Sequence, residues 1–108
     1  MEVKSLPKWV RGAVEQIATA FHPRRIVMFG SYARGDQDHE SDVDLFIEME
    51  TALSPPERAV AIASLFGLRP WSMDVVVYTP EEVEQSRGIH GTLLSQIERE
   101  GMVLYEQA

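Results

Sequence analysis

The chain has 108 residues, of which 44% are hydrophobic and 25% are charged, a composition typical of one folded domain and unlike that of a disordered or membrane protein. Its formal net charge is −7, which argues against an extended nucleic-acid surface. The absence of cysteine excludes a disulfide framework, and no apolar run approaches the roughly 18 residues of a membrane span. We therefore expect a single domain, residues 1–108, in the cytoplasm.

Hydrophobic periodicity and capping residues predict elements in the order α, β, β, α, β, α, α, β. Apolar side chains at spacings of three and four predict a first helix that ends before Pro23. Ser54 and Thr79 each precede proline and are followed three residues later by glutamate, the capping-box pattern of a helix start. Helices are expected over 6–21, 55–66, 80–88 and 91–100, and strands over 24–29, 42–49, 71–79 and 102–105. This order favours an α+β fold, a small mixed β-sheet with helices packed on one face.

Acidic residues are concentrated between positions 36 and 50, where seven occur without any lysine or arginine. Such a run is usually a solvated loop, and Asp36, Asp38 and Glu40 fit that interpretation. Asp42 and Asp44 differ, because the strand pattern places both on one face of an apolar strand, where like charges repel unless a cation joins them. Hard carboxylate oxygens suit Mg²⁺. The pattern therefore predicts a metal site at these two acids.

A glycine-bounded turn, from Gly30 to Gly35, follows the first predicted strand. Glycine permits close approach that a side chain would obstruct, and successive N–H groups in such a turn bind anions. Ser31 adds a hydroxyl donor, and Arg34 adds a planar cation suited to phosphate oxygens. On its own the turn is also compatible with an ordinary structural role, and Arg34 with a surface cation that neutralises a neighbouring acid.

Asp74 is the third acid of interest, because it lies in the apolar third strand between Met73 and Val75. An acid in this context is difficult to explain as solvated surface. The remaining interpretations are a metal ligand and a buried carboxylate satisfied by arginine or backbone donors. As a metal ligand it would complete a two-metal site of the kind used in phosphoryl transfer.

The composite spacing of turn and acids resembles the minimal nucleotidyltransferases of the DNA polymerase beta superfamily. The resemblance rests on Gly30-Ser31-Tyr32-Ala33-Arg34-Gly35, on Ser41-Asp42-Val43-Asp44-Leu45-Phe46-Ile47, and on Asp74-Val75-Val76. It covers nearly the whole chain and implies a polymerase-beta-like nucleotidyltransferase fold. The implied reaction transfers a nucleoside monophosphate, AMP from ATP, to a hydroxyl and releases pyrophosphate.

The resemblance also assigns a role to each motif position. In such enzymes the glycine turn holds the triphosphate, the paired acids bind two Mg²⁺ ions, and the third acid helps to activate the attacking hydroxyl. The expected catalytic and metal-binding residues are Asp42, Asp44 and Asp74. The expected nucleotide-binding residues are Gly30, Ser31, Arg34 and Ser41.

The resemblance further implies a protein partner. Larger relatives carry an additional domain for the acceptor, whereas small ones resemble antitoxins paired with a HEPN-domain toxin, some of which are thought to adenylylate a tyrosine of that toxin. We therefore expect a transferase and antitoxin that acts on a HEPN toxin, within a hetero- or homo-oligomer. Two alternatives stay open. One is an antitoxin that masks its partner without catalysis, and the other is a dimeric transferase for a small molecule of the aminoglycoside type.

Overall fold

The computed structural model describes residues 6–38, 42–67 and 72–107, so the predictions at Glu40, Ser41 and Trp71 lie outside the described residues. The predicted order of helices and strands is confirmed, and one additional helical turn follows the first strand. The helices are α1 (Lys8–Phe21), α2 (Ser31–Arg34), α3 (Pro55–Ala63), α4 (Pro80–Ser86) and α5 (Leu93–Glu100). The strands are β1 (Arg25–Phe29), β2 (Val43–Glu48), β3 (Met73–Tyr78) and β4 (Met102–Glu106). No helix in the described ranges is both long and apolar enough to cross a membrane.

The four strands form one mixed sheet in the order β3-β2-β1-β4, which confirms the α+β class. β1 is antiparallel to β2 and β4, whereas β2 and β3 are parallel and are connected through α3. The register places Phe29 opposite Asp44, and Asp44 opposite Asp74. The end of β1 therefore meets the beginnings of β2 and β3, and the glycine turn reaches the same edge of the sheet as the acids.

Apolar side chains cover both faces of this sheet. Ile17 of α1 and Leu45 of β2 belong to one core, which also contains α3. Leu94 of α5 packs with Phe46 of β2 in a second core on the opposite face, which also contains α4. The helices thus occupy both faces rather than the one face expected from the sequence. The reason is that the face of the sheet that carries the acids becomes apolar beyond them, at Phe46 and Val76. Two helices pack against this apolar part of the face.

The side chain of Arg58 connects three elements of the fold, α3, β3 and α4. This side chain is buried, and its Nε donates to the Leu53 carbonyl at 2.9 Å. Its Nη1 donates to the Val77 carbonyl at 3.3 Å and to Glu82 Oε1 at 2.7 Å. Glu82 also accepts from the Thr79 N–H at 2.9 Å, as the predicted capping box requires. One cation therefore fastens α3 to the end of β3 and the start of α4.

Replacing Arg58 by methionine should lower the free energy of unfolding by about 2 kcal/mol, because a buried carbonyl and the Glu82 carboxylate lose their charged donor. Urea denaturation measures this loss. Arg87→Met is the matched control, since Arg87 pairs with Glu84 at 3.0 Å on an exposed surface, where such pairs contribute about 0–1 kcal/mol. Equal losses in the two variants would contradict the connecting role of Arg58.

Candidate active site

The turn after β1 is a single helical turn bounded by two glycines. Gly30 precedes α2 with φ 78°, and Gly35 follows it with φ 84°. The Arg34 N–H donates to the Gly30 carbonyl at 3.0 Å, and the Gly35 N–H donates to the Ser31 carbonyl at 2.9 Å. Ser31 is half-buried at the first position of the helix. The left-handed backbone at Gly30 thus turns the chain sharply from the strand into α2.

The carboxylate of Asp44 lies directly over Gly30. A Cβ added at Gly30 would clash with Asp44 Oδ2, so a side chain at residue 30 would require the Asp44 carboxylate to move. The antiparallel register explains this approach, because Phe29 pairs with Asp44 and the next residue begins the turn. The glycine turn and the acids of β2, which are separate motifs in the sequence, therefore lie in one site.

Asp74 and Asp42 flank Asp44 at the solvent side. Asp74 stands opposite Asp44 on the neighbouring parallel strand, and adjacent strands lie about 4.8 Å apart. Asp42 immediately precedes β2, and both flanking acids are exposed, whereas Asp44 is half-buried. The sequence made Asp74 difficult to explain as solvated surface, yet it is exposed and not a buried carboxylate, because β3 is an edge strand and Asp74 lies near its beginning. Within the described residues, no three potential ligands form a preformed metal cage.

The carboxylate of Asp44 is repelled by the two neighbouring acids. Burial is the main cause that raises the pKa of Asp44, and repulsion from Asp74 and Asp42 adds to it, while Arg34 acts in the opposite direction. A raised pKa means that the ionised carboxylate is disfavoured in the folded protein. A bound cation would relieve this cost by neutralising the three acids together.

Arg34 is already engaged by two carboxylates. Its Nε donates to Asp36 Oδ2 at 3.1 Å, and its Nη1 donates to Glu100 Oε1 at 3.1 Å. The contact with Asp36 agrees with the alternative interpretation, in which Arg34 is a surface cation that neutralises a neighbouring acid. A phosphate contact by Arg34 would therefore require the guanidinium to exchange or share a partner.

Glu100, the last residue of α5, contacts the site but is absent from the candidates drawn from the sequence. Its carboxylate accepts hydrogen bonds from Arg34 Nη1 at 3.1 Å and from Gln96 Nε2 at 3.0 Å, and it lies close enough to Gly30 for that residue's backbone N–H to favour the ionised form. The hydrogen bond from Gln96, followed by the contacts with Arg34, holds the pKa of Glu100 below its ordinary value. Because 66 positions separate Arg34 from Glu100, no motif spacing signals this contact.

Residues 8–105 match the nucleotidyltransferase domain family. The chain belongs to this family. The predicted identification as a nucleotidyltransferase is thereby confirmed at the level of the family. A protein of Methanocaldococcus jannaschii, provisionally named a protein adenylyltransferase, is 50% identical over 48 residues, which are 42% of this chain and 48% of the relative. The match thus spans about half the length of that relative.

Two solved structures share the fold of this nucleotidyltransferase domain. A protein of Sulfolobus solfataricus, provisionally named a nucleotidyltransferase, aligns over 93% of this chain and 79% of its own, with a TM-score of 0.65 and 19% identity. A structure described as a toxin-antitoxin with AMP-PNP aligns over 90% of this chain and 73% of its own, with a TM-score of 0.56 and 20% identity. At these identities the likeness concerns the fold alone, and the predicted nucleotidyltransferase fold is confirmed.

Replacing Gly30 by alanine should destabilise the protein more than replacing Gly91 by alanine. Both glycines have positive φ, 78° and 81°, and the ψ of −154° at Gly30 is one that glycine alone adopts readily, so alanine carries a backbone cost of about 1–3 kcal/mol at either position. Only the Cβ at Gly30 would meet Asp44, whereas the space around Gly91 is open. We expect a further loss of about 1–3 kcal/mol at Gly30, measured by urea denaturation. Equal losses would show that Asp44 moves off the turn without cost.

Replacing Asp44 by asparagine should stabilise the metal-free protein at neutral pH. Because its pKa is raised, the folded state binds the Asp44 proton more tightly than the unfolded chain does. The resulting stability is present at acid pH and is lost as the pH rises through the folded-state pKa. In the presence of a chelator we expect the Tm to rise by about 2 °C at neutral pH, allowing for solvent screening, and not at strongly acidic pH.

The matched control for Asp44→Asn is Glu50→Gln, which removes one negative charge at an exposed position beyond the end of β2. This control should leave the Tm nearly unchanged, because surface charge changes contribute little. A fall in Tm for Asp44→Asn at neutral pH would contradict the repulsion among the three acids.

Proposed function

We propose that this chain is a Mg²⁺-dependent nucleotidyltransferase that transfers AMP from ATP to a hydroxyl of a partner protein. The observation that carries the proposal is the packing of Asp44 over the Gly30 turn, with Asp74 beside it. This packing joins an anion-binding turn and neighbouring carboxylates in one site. Membership of the nucleotidyltransferase domain family supports the same class of reaction.

In this proposal Asp42, Asp44 and Asp74 are the residues that hold Mg²⁺. Their hard oxygen donors suit the ion, and the crowding that raises the pKa of Asp44 is the kind of environment that a cation relieves. A preformed cage is not needed, because Mg²⁺ usually binds through one or two carboxylates, waters and substrate phosphates. When bound, the ions would neutralise charge on the phosphate being transferred.

The protein groups of the site would orient the two substrates. The backbone of the Gly30 turn and the Ser31 hydroxyl would donate hydrogen bonds to the triphosphate, with Arg34 and Ser41 as further nucleotide contacts. The acceptor oxygen would form a bond to the α-phosphorus as the bond from that phosphorus to the bridging oxygen breaks, releasing pyrophosphate. Asp74, exposed beside Asp44, would accept the proton of the hydroxyl.

The proposed partner is a HEPN-domain toxin that this chain neutralises as an antitoxin. The provisional name of the Methanocaldococcus jannaschii relative describes protein adenylylation, and one structural neighbour is described as a toxin-antitoxin with AMP-PNP. The exposure of Asp42 and Asp74 supports the proposal, because it leaves this side of the site open to an acceptor on another protein. We place the reaction in the cytoplasm, where ATP and Mg²⁺ are available.

Thermal unfolding with and without ATP and MgCl₂ tests nucleotide binding. Millimolar ATP with Mg²⁺ should raise the Tm of the native protein, because a ligand that binds only the folded state stabilises it. The double variant Asp42→Asn with Asp44→Asn should lose this increase, whereas the control Glu50→Gln should keep it. An unchanged Tm of the native protein under these conditions would overturn the proposal.

The native protein and its variants also test the transfer step, with ATP labelled at the α-phosphate and a HEPN-domain protein as the candidate acceptor. The partner should gain the label and the mass of AMP, and Asp74→Asn should slow labelling by about 100-fold or more while leaving ATP binding in place. Loss of both labelling and neutralisation in the double variant would support catalysis. Neutralisation that survives in that variant would instead favour masking.

A further inference from the structure

Glu100 makes two side-chain hydrogen bonds at the point where α5 meets the glycine turn. Its carboxylate accepts from Arg34 Nη1 at 3.1 Å and from Gln96 Nε2 at 3.0 Å. Arg34 is the last residue of α2, and Gly30, which precedes that helix, lies close enough for its N–H to favour the ionised carboxylate. One side chain of α5 therefore holds the end of the turn and lies beside its beginning.

The chain around Glu100 is itself closely packed against the sheet. A Cβ added at Gly101 would lie 2.5 Å from the Ile97 carbonyl oxygen and 2.5 Å from Val27 Cγ1. The Gly101 N–H also donates to the Ile97 carbonyl at 2.8 Å. The end of α5 is thus fixed against β1, and Glu100 extends from a rigid base.

Glu100 and Asp44 reach the turn from opposite sides. Met28 pairs with Met102 on β4, which begins two residues after Glu100, whereas Phe29 pairs with Asp44 on β2. Glu100 therefore approaches the turn from the β4 side and leaves the side that carries the acids open. This placement suits a support for the turn and does not suit a carboxylate that competes with the triphosphate.

We propose that Glu100 is a positioning residue that holds Arg34, and with it the end of the Gly30 turn, in the arrangement that receives the triphosphate. The inference rests on the proposed function, because it takes the Gly30 turn as the triphosphate site. Without Glu100, Arg34 would keep only its contact with Asp36 among the two carboxylates described. The turn would then sample other conformations, and part of the binding free energy would be used to order it.

Isothermal titration of ATP in the presence of MgCl₂ tests this role with Glu100→Ala, Glu100→Gln and Glu98→Ala. Glu98 is the matched control on the same helix, since it pairs with Arg25 at 2.7 Å on a different part of β1. We expect the Kd to rise by about tenfold in Glu100→Ala, as for other outer-shell supports, and to change less than about twofold in the control. Glu100→Gln should lie between, because the amide oxygen can still accept from Arg34 but carries no charge.

Each outcome of the titration decides the role of Glu100. An unchanged Kd in Glu100→Ala, with a Tm reduced as in Glu98→Ala, would make Glu100 merely structural and overturn the proposal. A lower Kd would identify a competitor of the triphosphate and would also overturn it. If Glu100→Ala does not fold, Glu100→Gln decides by the same criterion. Failure of the native protein to bind ATP would be the distinct result that overturns the proposed function, and this inference with it.

Discussion

The site depends on one close approach, in which the carboxylate of Asp44 lies where a side chain of residue 30 would otherwise be. Three features make it possible: the antiparallel pairing of β1 with β2, the register that sets Phe29 opposite Asp44, and a glycine with φ 78° at the next position. The approach brings a carboxylate next to the turn that is proposed to bind phosphate. Two negative groups so close would repel each other, and cations that join the carboxylate to the phosphate would make the combination favourable.

The cost of crowding three acids is offset by the burial of the rest of the strands. The acids lie at the beginnings of β2 and β3, and from there on both faces of β2 are covered, so that Leu45, Phe46 and Ile47 are fully buried. Burying side chains of this size contributes about 1.5–3 kcal/mol each. A two-sided core thus lets a chain of 108 residues keep an electrostatically strained edge without losing its fold.

The sequence predicted the features that depend on period and local chemistry, and missed those that depend on distant packing. Alternation in β2 and the capping boxes at Ser54 and Thr79 are local signals, and the structure contains the elements they indicate. The sequence did not predict helices on the second face of the sheet. On that face Phe46 follows the acids, and the alternation of side chains along a strand does not show where a polar face becomes apolar. The α2 helix is too short to show a period, and the contact of Arg34 with Glu100 has no sequence signal.

The three acids differ in their exposure to solvent, and this difference bears on the proposed reaction. Asp44 is half-buried against the turn, where the nucleotide would lie, while Asp74 is exposed at the beginning of an edge strand. In the proposed transfer, the turn holds the triphosphate on one side of the reacting phosphorus. The acceptor hydroxyl must then approach that phosphorus from the opposite side. Of the three acids, Asp74 is the one on an edge strand, so in the proposed transfer an acceptor on a separate protein would reach it without any rearrangement of the two cores.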